Sequence, residues 1–309
     1  MSILFHILLN NIAPVFLLIF LGYLLGRSFK LDVNSFSKIN LYVYVPALVF
    51  VKLYETKVES QHLQALLYAV VFLAVLAAGS AAVSRLLRHS RTMSSAFMNS
   101  VMFYNSGNFG LPLVTLVFQD SPYLPYAVSI QIMVLLVQNL CSNTIGLFNA
   151  GRGKLGVLNS LKAVARMPAI YAIAAALLLK LIPLDFTTTF VWPAAVYIKD
   201  GLVSVALLTL GIQLSKSALR LKNAEVYLAA FMRLVAGPAL AMLVIWLFGV
   251  HGDMARVLLI SSSVPTAVNT ALVAVEMDNE KEFASQVVMV TSLFSAVTLT
   301  AVIYLSTFL

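Results

Sequence analysis

Two short polar segments, Asn105-Ser-Gly-Asn-Phe-Gly-Leu-Pro112 and Ser262-Ser-Val-Pro-Thr-Ala-Val-Asn269, interrupt windows otherwise long and apolar enough to cross a membrane as helices. A helix in lipid satisfies its own backbone hydrogen bonds, and hydrocarbon offers no substitute donor or acceptor. Unwound backbone at that depth must therefore be buried in protein or line a wet cavity. The two breaks are equivalently placed. Pro112 and Pro265 stand 153 residues apart, Pro14 and Pro168, each early in its own window, stand 154 apart, and the chain has 309 residues. The spacing reads as two related halves with one broken helix each, an arrangement used by secondary transporters.

With 61% hydrophobic and 10% charged residues and a mean hydropathy of +0.95, the chain reads as an all-α polytopic membrane protein. Windows of about twenty apolar residues predict ten transmembrane helices, at 6–27, 36–54, 63–85, 93–118, 124–148, 165–182, 194–215, 224–249, 254–276 and 283–308. Of the 20 Lys and Arg, Lys52, Lys57, Lys180 and Arg256 fall in one set of loops and 14 in the other, while Lys199 lies at a helix end and Arg233 inside a span. The positive-inside rule then places both termini away from the cytoplasm. Five spans per half is an odd number, so the halves, 1–150 and 151–309, are expected to be an inverted repeat. Their seam is the short inner segment Asn149 to Gly156.

The net charge of +8 and pI near 9.6 belong to this loop asymmetry, and no basic stripe with interleaved aromatics points to nucleic acid. The N-terminus lacks a basic n-region and its apolar stretch is too long for a signal peptide, so it reads as the first span. Cys141 is the single cysteine, which forbids an intramolecular disulfide. Enzyme motifs are missing: there is no H-E-x-x-H, no G-x-S-x-G and no pair of intramembrane aspartates. Gly151-Arg-Gly-Lys lacks the spacing and hydroxyl of a phosphate loop. His6, His62, His89 and His251 fall near span ends, so neither a metal site nor a cofactor is expected.

The breaks carry the chemistry. Gly107 and Gly110 permit unusual backbone geometry, and Pro112 suits the first turn of a restarting helix. Asn105 and Asn108 offer uncharged amide donors, and the freed N–H groups of the restarting helix favour a carboxylate. In the second break Pro265 plays the same part beside Ser262, Ser263, Thr266 and Asn269. Facing each other, the breaks would form a small, neutral, anion-friendly site. Gln131, Gln138, Asn139 and Asn143 in the fifth span read as interhelical hydrogen-bond partners, with cavity lining as the second reading. For Arg233, one-third of the way into the eighth span, the readings are snorkelling or structural pairing on one side and substrate-path electrostatics on the other. Gln286 is a candidate for lining an ion path. Glu276, Asp278, Glu280 and Glu282 read as a solvated loop face.

The chain resembles the auxin efflux carrier family, the bacterial relatives of the plant carriers, within the wider group that includes bile-acid symporters. The resemblance rests on Ala13-Pro-Val-Phe-Leu-Leu-Ile-Phe-Leu-Gly-Tyr-Leu-Leu-Gly-Arg27, Tyr44-Val-Pro-Ala-Leu-Val-Phe50, Asn105 to Pro112, Leu208-Thr-Leu-Gly-Ile-Gln-Leu214 and Val264-Pro-Thr-Ala-Val-Asn269, in that order. It implies a five-plus-five inverted repeat with a scaffold and dimer surface from spans 1, 2, 6 and 7. Spans 3–5 and 8–10 would form a mobile transport domain, whose broken helices 4 and 9 cross at the substrate. In the plant carriers an Asn seven residues before the crossover proline contacts the substrate carboxylate, and Asn105 stands seven before Pro112. The span 9 match departs from the plant pattern, which has a second proline near Asn269 and Thr270, and the long inner hydrophilic loop of the larger plant members is missing.

The expected function is a secondary transporter of small organic anions, auxin-like or dicarboxylate, working by elevator-type alternating access as an efflux carrier. A passive anion channel and a transporter-like membrane receptor are the alternatives. The lipid bilayer, the organic anion and a second copy of the chain are the expected partners, with the bacterial inner membrane as location. A homodimer is expected to form through Tyr42, Tyr44 and Phe50 of the second span and the run from Gly201 to Leu214 in the seventh.

Overall fold

The structure, a computed structural model, describes residue 5 and residues 7–56, 59–151, 168–182, 185–216 and 223–309. The expected seam between the halves lies partly outside these, as do residues 165–167 of the sixth expected span. The described residues form twelve longer helices, besides one turn of 3-10 helix at Phe186–Thr188: α1 (Leu8–Ser28), α2 (Val33–Glu55), α3 (Ser60–Leu86), α4 (Arg91–Met102), α5 (Ser106–Val117), α6 (Leu124–Ala150), α7 (Pro168–Leu179), α8 (Val191–Ser215), α9 (Ala224–Leu247), α10 (Gly252–Ser262), α11 (Val268–Glu276) and α12 (Lys281–Ser306). Among them no strand occurs. Seven helices, α1, α2, α3, α6, α8, α9 and α12, are individually long and apolar enough to cross a membrane. The remaining three expected spans are not single helices of that length. The windows 93–118 and 254–276 hold α4 with α5 and α10 with α11. Pieces of 9 to 12 residues reach only about 14–18 Å at 1.5 Å per residue, about half the hydrocarbon thickness. In the sixth window the described helix, α7, has 12 residues.

Proline shapes several helices in the same way. Pro14, Pro46, Pro112 and Pro238 each follow a turn in which an N–H reaches back five residues rather than four, from Ala13 to Leu8, Val45 to Asn40, Leu111 to Ser106 and Gly237 to Met232. A proline ring clashes with the carbonyl four residues earlier and has no N–H to give it. One widened turn moves that carbonyl aside and lets the helix continue.

The helices fall into two groups by packing. In the first, α8 lies along α1 and α2, and α7 along α2. The α1–α8 approach is a glycine crossing: a Cβ on Gly211 would overlap the Ile19 carbonyl oxygen, and one on Gly22 would overlap the Leu208 carbonyl. Such backbone contact is the packing mode open to membrane helices, where apolar burial gives no net drive. In the second group α3 contacts α4, α6 and α9, while α12 covers α9, α10 and α11. The groups meet where α8 touches α5 and α2 touches α6.

This packing uses part of the surface expected at a partner. The buried face of the Gly201 to Leu214 run is used inside the chain, against α1 and against the Tyr44 ring, which leaves no room for a Cβ at Gly201. Phe50 sits in an aromatic cluster with Tyr54, Phe186 and Trp192, at centroid distances of 6.1, 5.7 and 6.3 Å. Of the three aromatics expected at a partner, Tyr42 alone stays well exposed, at 58%.

Candidate substrate site at the crossing of two interrupted helices

The chain leaves helical geometry between α4 and α5 at Phe103–Asn105, and between α10 and α11 at Ser263–Ala267, with Phe103 and Ala267 extended. These stretches pair with each other. The Asn105 N–H donates to the Pro265 carbonyl at 2.8 Å and the Ala267 N–H to the Phe103 carbonyl at 3.0 Å, an antiparallel rung that sets Tyr104 opposite Thr266. Pro265 has no N–H and serves only as acceptor, which suits a position where the partner strand supplies the donor. Side chains take up the remainder. Gln138 Oε1 accepts the Tyr104 N–H at 3.3 Å, Thr291 Oγ1 accepts the Thr266 N–H at 3.2 Å, and Gln131 Nε2 donates to the Ser106 carbonyl at 2.8 Å. The unwound backbone is thus paired within protein, as burial at membrane depth requires.

A cleft of about 240 Å³ opens beside this rung. The two restarting helices present their N-termini to it through Ser106, Gly107 and Asn108 of α5 and Val268 and Asn269 of α11. Asn40 and Ser37 of α2, Gln138, Asn139 and Asn143 of α6 and Gln213 of α8 form the opposite walls. Among the described residues, the wall carries polar amides and hydroxyls, apolar side chains and no charged group. Ser37 and Asn40 lie near the start of α2, and Gln213 and Asn143 toward the ends of α8 and α6. These walls lie toward the end of the molecule that holds Lys38 and, through the Lys216 bond to the Gly26 carbonyl, Arg27.

Two of the lining amides have fixed orientations. Asn105 Oδ1 accepts the Asn108 backbone N–H at 3.2 Å, the cap of α5, and Gln138 Oε1 accepts the Tyr104 backbone N–H. A backbone N–H can only donate, so in each case the oxygen must face it and the NH2 must face away. Asn105 Nδ2 and Gln138 Nε2 form no hydrogen bond of normal geometry and are themselves buried, in residues only 6% and 2% exposed, with the Gln138 amide beside the Tyr104 hydroxyl. Leaving such a donor unpaired in a buried site costs about 1–3 kcal/mol, which a bound acceptor would recover. Asn108 Oδ1 is occupied, accepting from Asn40 Nδ2 at 2.7 Å.

The expected site residues divide accordingly. Asn105, Gly107, Asn108, Asn269, Gln138 and Asn139 line the cleft. Pro112, Ser263, Pro265 and Thr266 are buried behind it and do not: Ser263 Oγ donates to the Leu259 carbonyl and Thr266 Oγ1 to the Ser100 carbonyl, at 2.6 and 2.8 Å. Gln131 is turned into the protein beside Gly110, and Gln286, 7% exposed on α12, is not part of the cleft wall. Arg233 does not snorkel. It is 0% exposed and donates to the carbonyls of Val101 and Ser262. Asn40, Ser37, Tyr104 and Gln213 were not expected in the wall. Asn40 is the polar residue four positions before Tyr44, and Gln213 stands within Leu208 to Leu214, so both were visible as lone amides in apolar windows.

A family model described as membrane transport protein matches residues 7–303. The chain belongs to that family, which is that of the auxin efflux carriers. An uncharacterized transporter of Methanocaldococcus jannaschii is 23% identical over 298 residues, covering 93% of this chain and 95% of its own. An uncharacterized transporter of Methanothermobacter thermautotrophicus is 22% identical over 299 residues, covering 94% and 95%. Membership and the apolar helices together make the chain an integral membrane transporter. The match runs through both interrupted helices, so the cleft lies within the part shared with these proteins.

Proposed function

We propose that this transporter is a secondary carrier of small organic anions, auxin-like or dicarboxylate, with the carboxylate held at the crossing. The observation that carries this is the pair of oriented, buried amides of Asn105 and Gln138, residues that line a neutral cleft at the start of α5 and α11. Two amide donors and two helix N-termini suit one carboxylate without a fixed charge on the wall. On the far side of the crossing Phe109, Leu111, Leu113, Val257 and Leu258 are buried in a continuous core. That supports a carrier with one open end at a time rather than a passive channel.

The packing groups favour an elevator. Helices α1, α2, α7 and α8 would be the fixed scaffold, also the dimer surface, and α3–α6 with α9–α12 the moving domain, each built from both halves of a five-plus-five inverted repeat. With Lys and Arg enriched at the cleft end, this end faces the cytoplasm, the termini lie on the other side and the state is inward-open. Among the described residues the cleft has no acidic group to hold a dehydrated cation. Transport is therefore driven by the anion gradient, the membrane potential or protons, without a strict sodium requirement. Uptake and counterflow of a carboxylate panel into proteoliposomes tests the reading. Saturable counterflow that falls in Asn105→Ala and Asn269→Ala is expected. Undiminished transport in both variants removes the site, and replacement of sodium by choline should leave uptake unchanged.

A further inference from the structure

Arg233, in the third turn of α9, has no part in the cleft wall, yet it joins both interrupted helices. One guanidinium nitrogen donates to the carbonyl of Val101 at 3.0 Å and the other to that of Ser262. Val101 lies in the last turn of α4, and Ser262 is the last residue of α10. The guanidinium also lies over the rings of Tyr104, at 4.8 Å, and Phe72, at 5.9 Å. Among the described residues no carboxylate forms an ion pair with it.

A lone buried cation at membrane depth is expensive, so its counter-charge has to come from the protein. Two helix C-termini supply about half a negative charge each, together close to the one positive charge of the guanidinium. The matching positive ends, the N-termini of α5 and α11, have no acidic residue in their first turns and face the cleft, beside the buried amides of Asn105 and Gln138. Tyr104 is common to both sides, receiving the guanidinium on its ring and lining the cleft.

We propose that Arg233 is the positioning charge of the substrate site: it ties together the two C-terminal ends, cancels their negative field, and leaves the cleft with about one positive charge matched to one carboxylate. The proposal rests on the anion-carrier reading, but it can fail separately, because its test needs no substrate. The test places a thiol in the cleft wall by Ala267→Cys in a Cys141→Ser background and measures its modification in detergent. A sulfonate-bearing and a trimethylammonium-bearing methanethiosulfonate are compared, with rates normalised to free cysteine.

The anionic reagent should be favoured at least about tenfold, the order of effect of one charge acting across roughly 10 Å of low-dielectric protein. Arg233→Met should bring the ratio down by a similar factor, and Arg233→Lys should keep it, because the ammonium carries the charge without the planar fork. A ratio near one in the protein that retains Arg233 overturns the proposal, as does an unchanged ratio in folded Arg233→Met, which would leave Arg233 a structural clamp only. Should Arg233→Met fail to fold, titration of the introduced thiol in the Arg233 and Arg233→Lys proteins decides. A thiol pKa below the ordinary value of about 8.5 in both is expected, and one at or above it in either is a refutation. A protein that carries no organic acid at all would sink the proposed function and leave these ratios to be read independently.

Discussion

Asn40 Nδ2 donates to Asn108 Oδ1 at 2.7 Å, the side-chain bond that ties the first turns of α2 to the start of α5 within the wall of the cleft. In the proposed elevator Asn40 belongs to the scaffold and Asn108 to the moving domain, so the bond exists only with the cleft open. A partly buried hydrogen bond is worth about 0.5–1.5 kcal/mol net. Asn40→Ala should therefore shift the population about twofold to tenfold away from the inward-open state, read as slower modification of the cleft thiol introduced by Ala267→Cys. An unchanged rate would show that the bond does not bias the equilibrium.

The same pair gives a lock. Asn40→Cys with Asn108→Cys, in a Cys141→Ser background, should form a disulfide that stops transport until it is reduced. Gln213 Nε2 donates to Ser37 Oγ at 3.0 Å within the scaffold, and Ser37→Cys with Gln213→Cys should cross-link without that arrest. Full flux with the first pair oxidised would defeat the moving-domain picture.

Gln138→Glu keeps an oxygen for the Tyr104 N–H and replaces the NH2 by a carboxylate oxygen. The fold should persist while carboxylate affinity falls at least about tenfold, since a charge-assisted hydrogen bond of about 1.5–3 kcal/mol is lost and a like charge is added. Tight carboxylate binding by this variant would mean that Gln138 does not face the substrate.

Gly211→Ala places a methyl on the Ile19 carbonyl and within 2.6 Å of the Tyr23 nitrogen. Overpacking of this kind costs about 1–3 kcal/mol, and the thermal midpoint in detergent should fall. Gly79→Ala is the control, because its nearest neighbour is the Met232 methyl at 3.9 Å. It should be neutral or slightly stabilising, as an alanine in place of a helical glycine is. Equal midpoints for the two variants would contradict the close α1–α8 crossing.

Asp32 caps α2, accepting the Ser35 hydroxyl at 2.6 Å and the N–H groups of Asn34 and Ser35. The Ser35 hydroxyl first, then the backbone N–H groups, hold its carboxyl below the ordinary value of 3.8. The ionised form is thus favoured in the folded state. The cap is complete above that ordinary value and is lost as pH falls through the lowered one. The protection of the Asn34 and Ser35 N–H groups, exchange taken relative to the intrinsic rate at each pH, should be lost only below about pH 4, and absence of protection at neutral pH would exclude the cap.

Helical class, membrane residence and the two non-helical stretches were legible in the chain because each is a local property. About twenty apolar residues demand a spanning helix, and proline beside unpaired amides demands protein or water around it. Asn105, Asn108 and Asn269 could be named for the same reason. Which polar groups face the cleft was decided by tertiary structure alone. Thr266 and Asn269 are three residues apart in one motif, yet Thr266 is drawn back to the Ser100 carbonyl while Asn269 lines the wall. Gln131 and Gln138, two turns apart on α6, differ in the same way: Gln131 is turned to the Ser106 carbonyl behind the cleft, and Gln138 lines its wall while its oxygen accepts the Tyr104 N–H. The roles of Asn40, Gln213 and Arg233 depend on contacts made across 68, 176 and 132 residues of chain. Sequence spacing along one helix carries no information about which carbonyl a distant helix will present. The partner, and with it the direction of each amide and the burial of the guanidinium, was settled only when the two interrupted helices met.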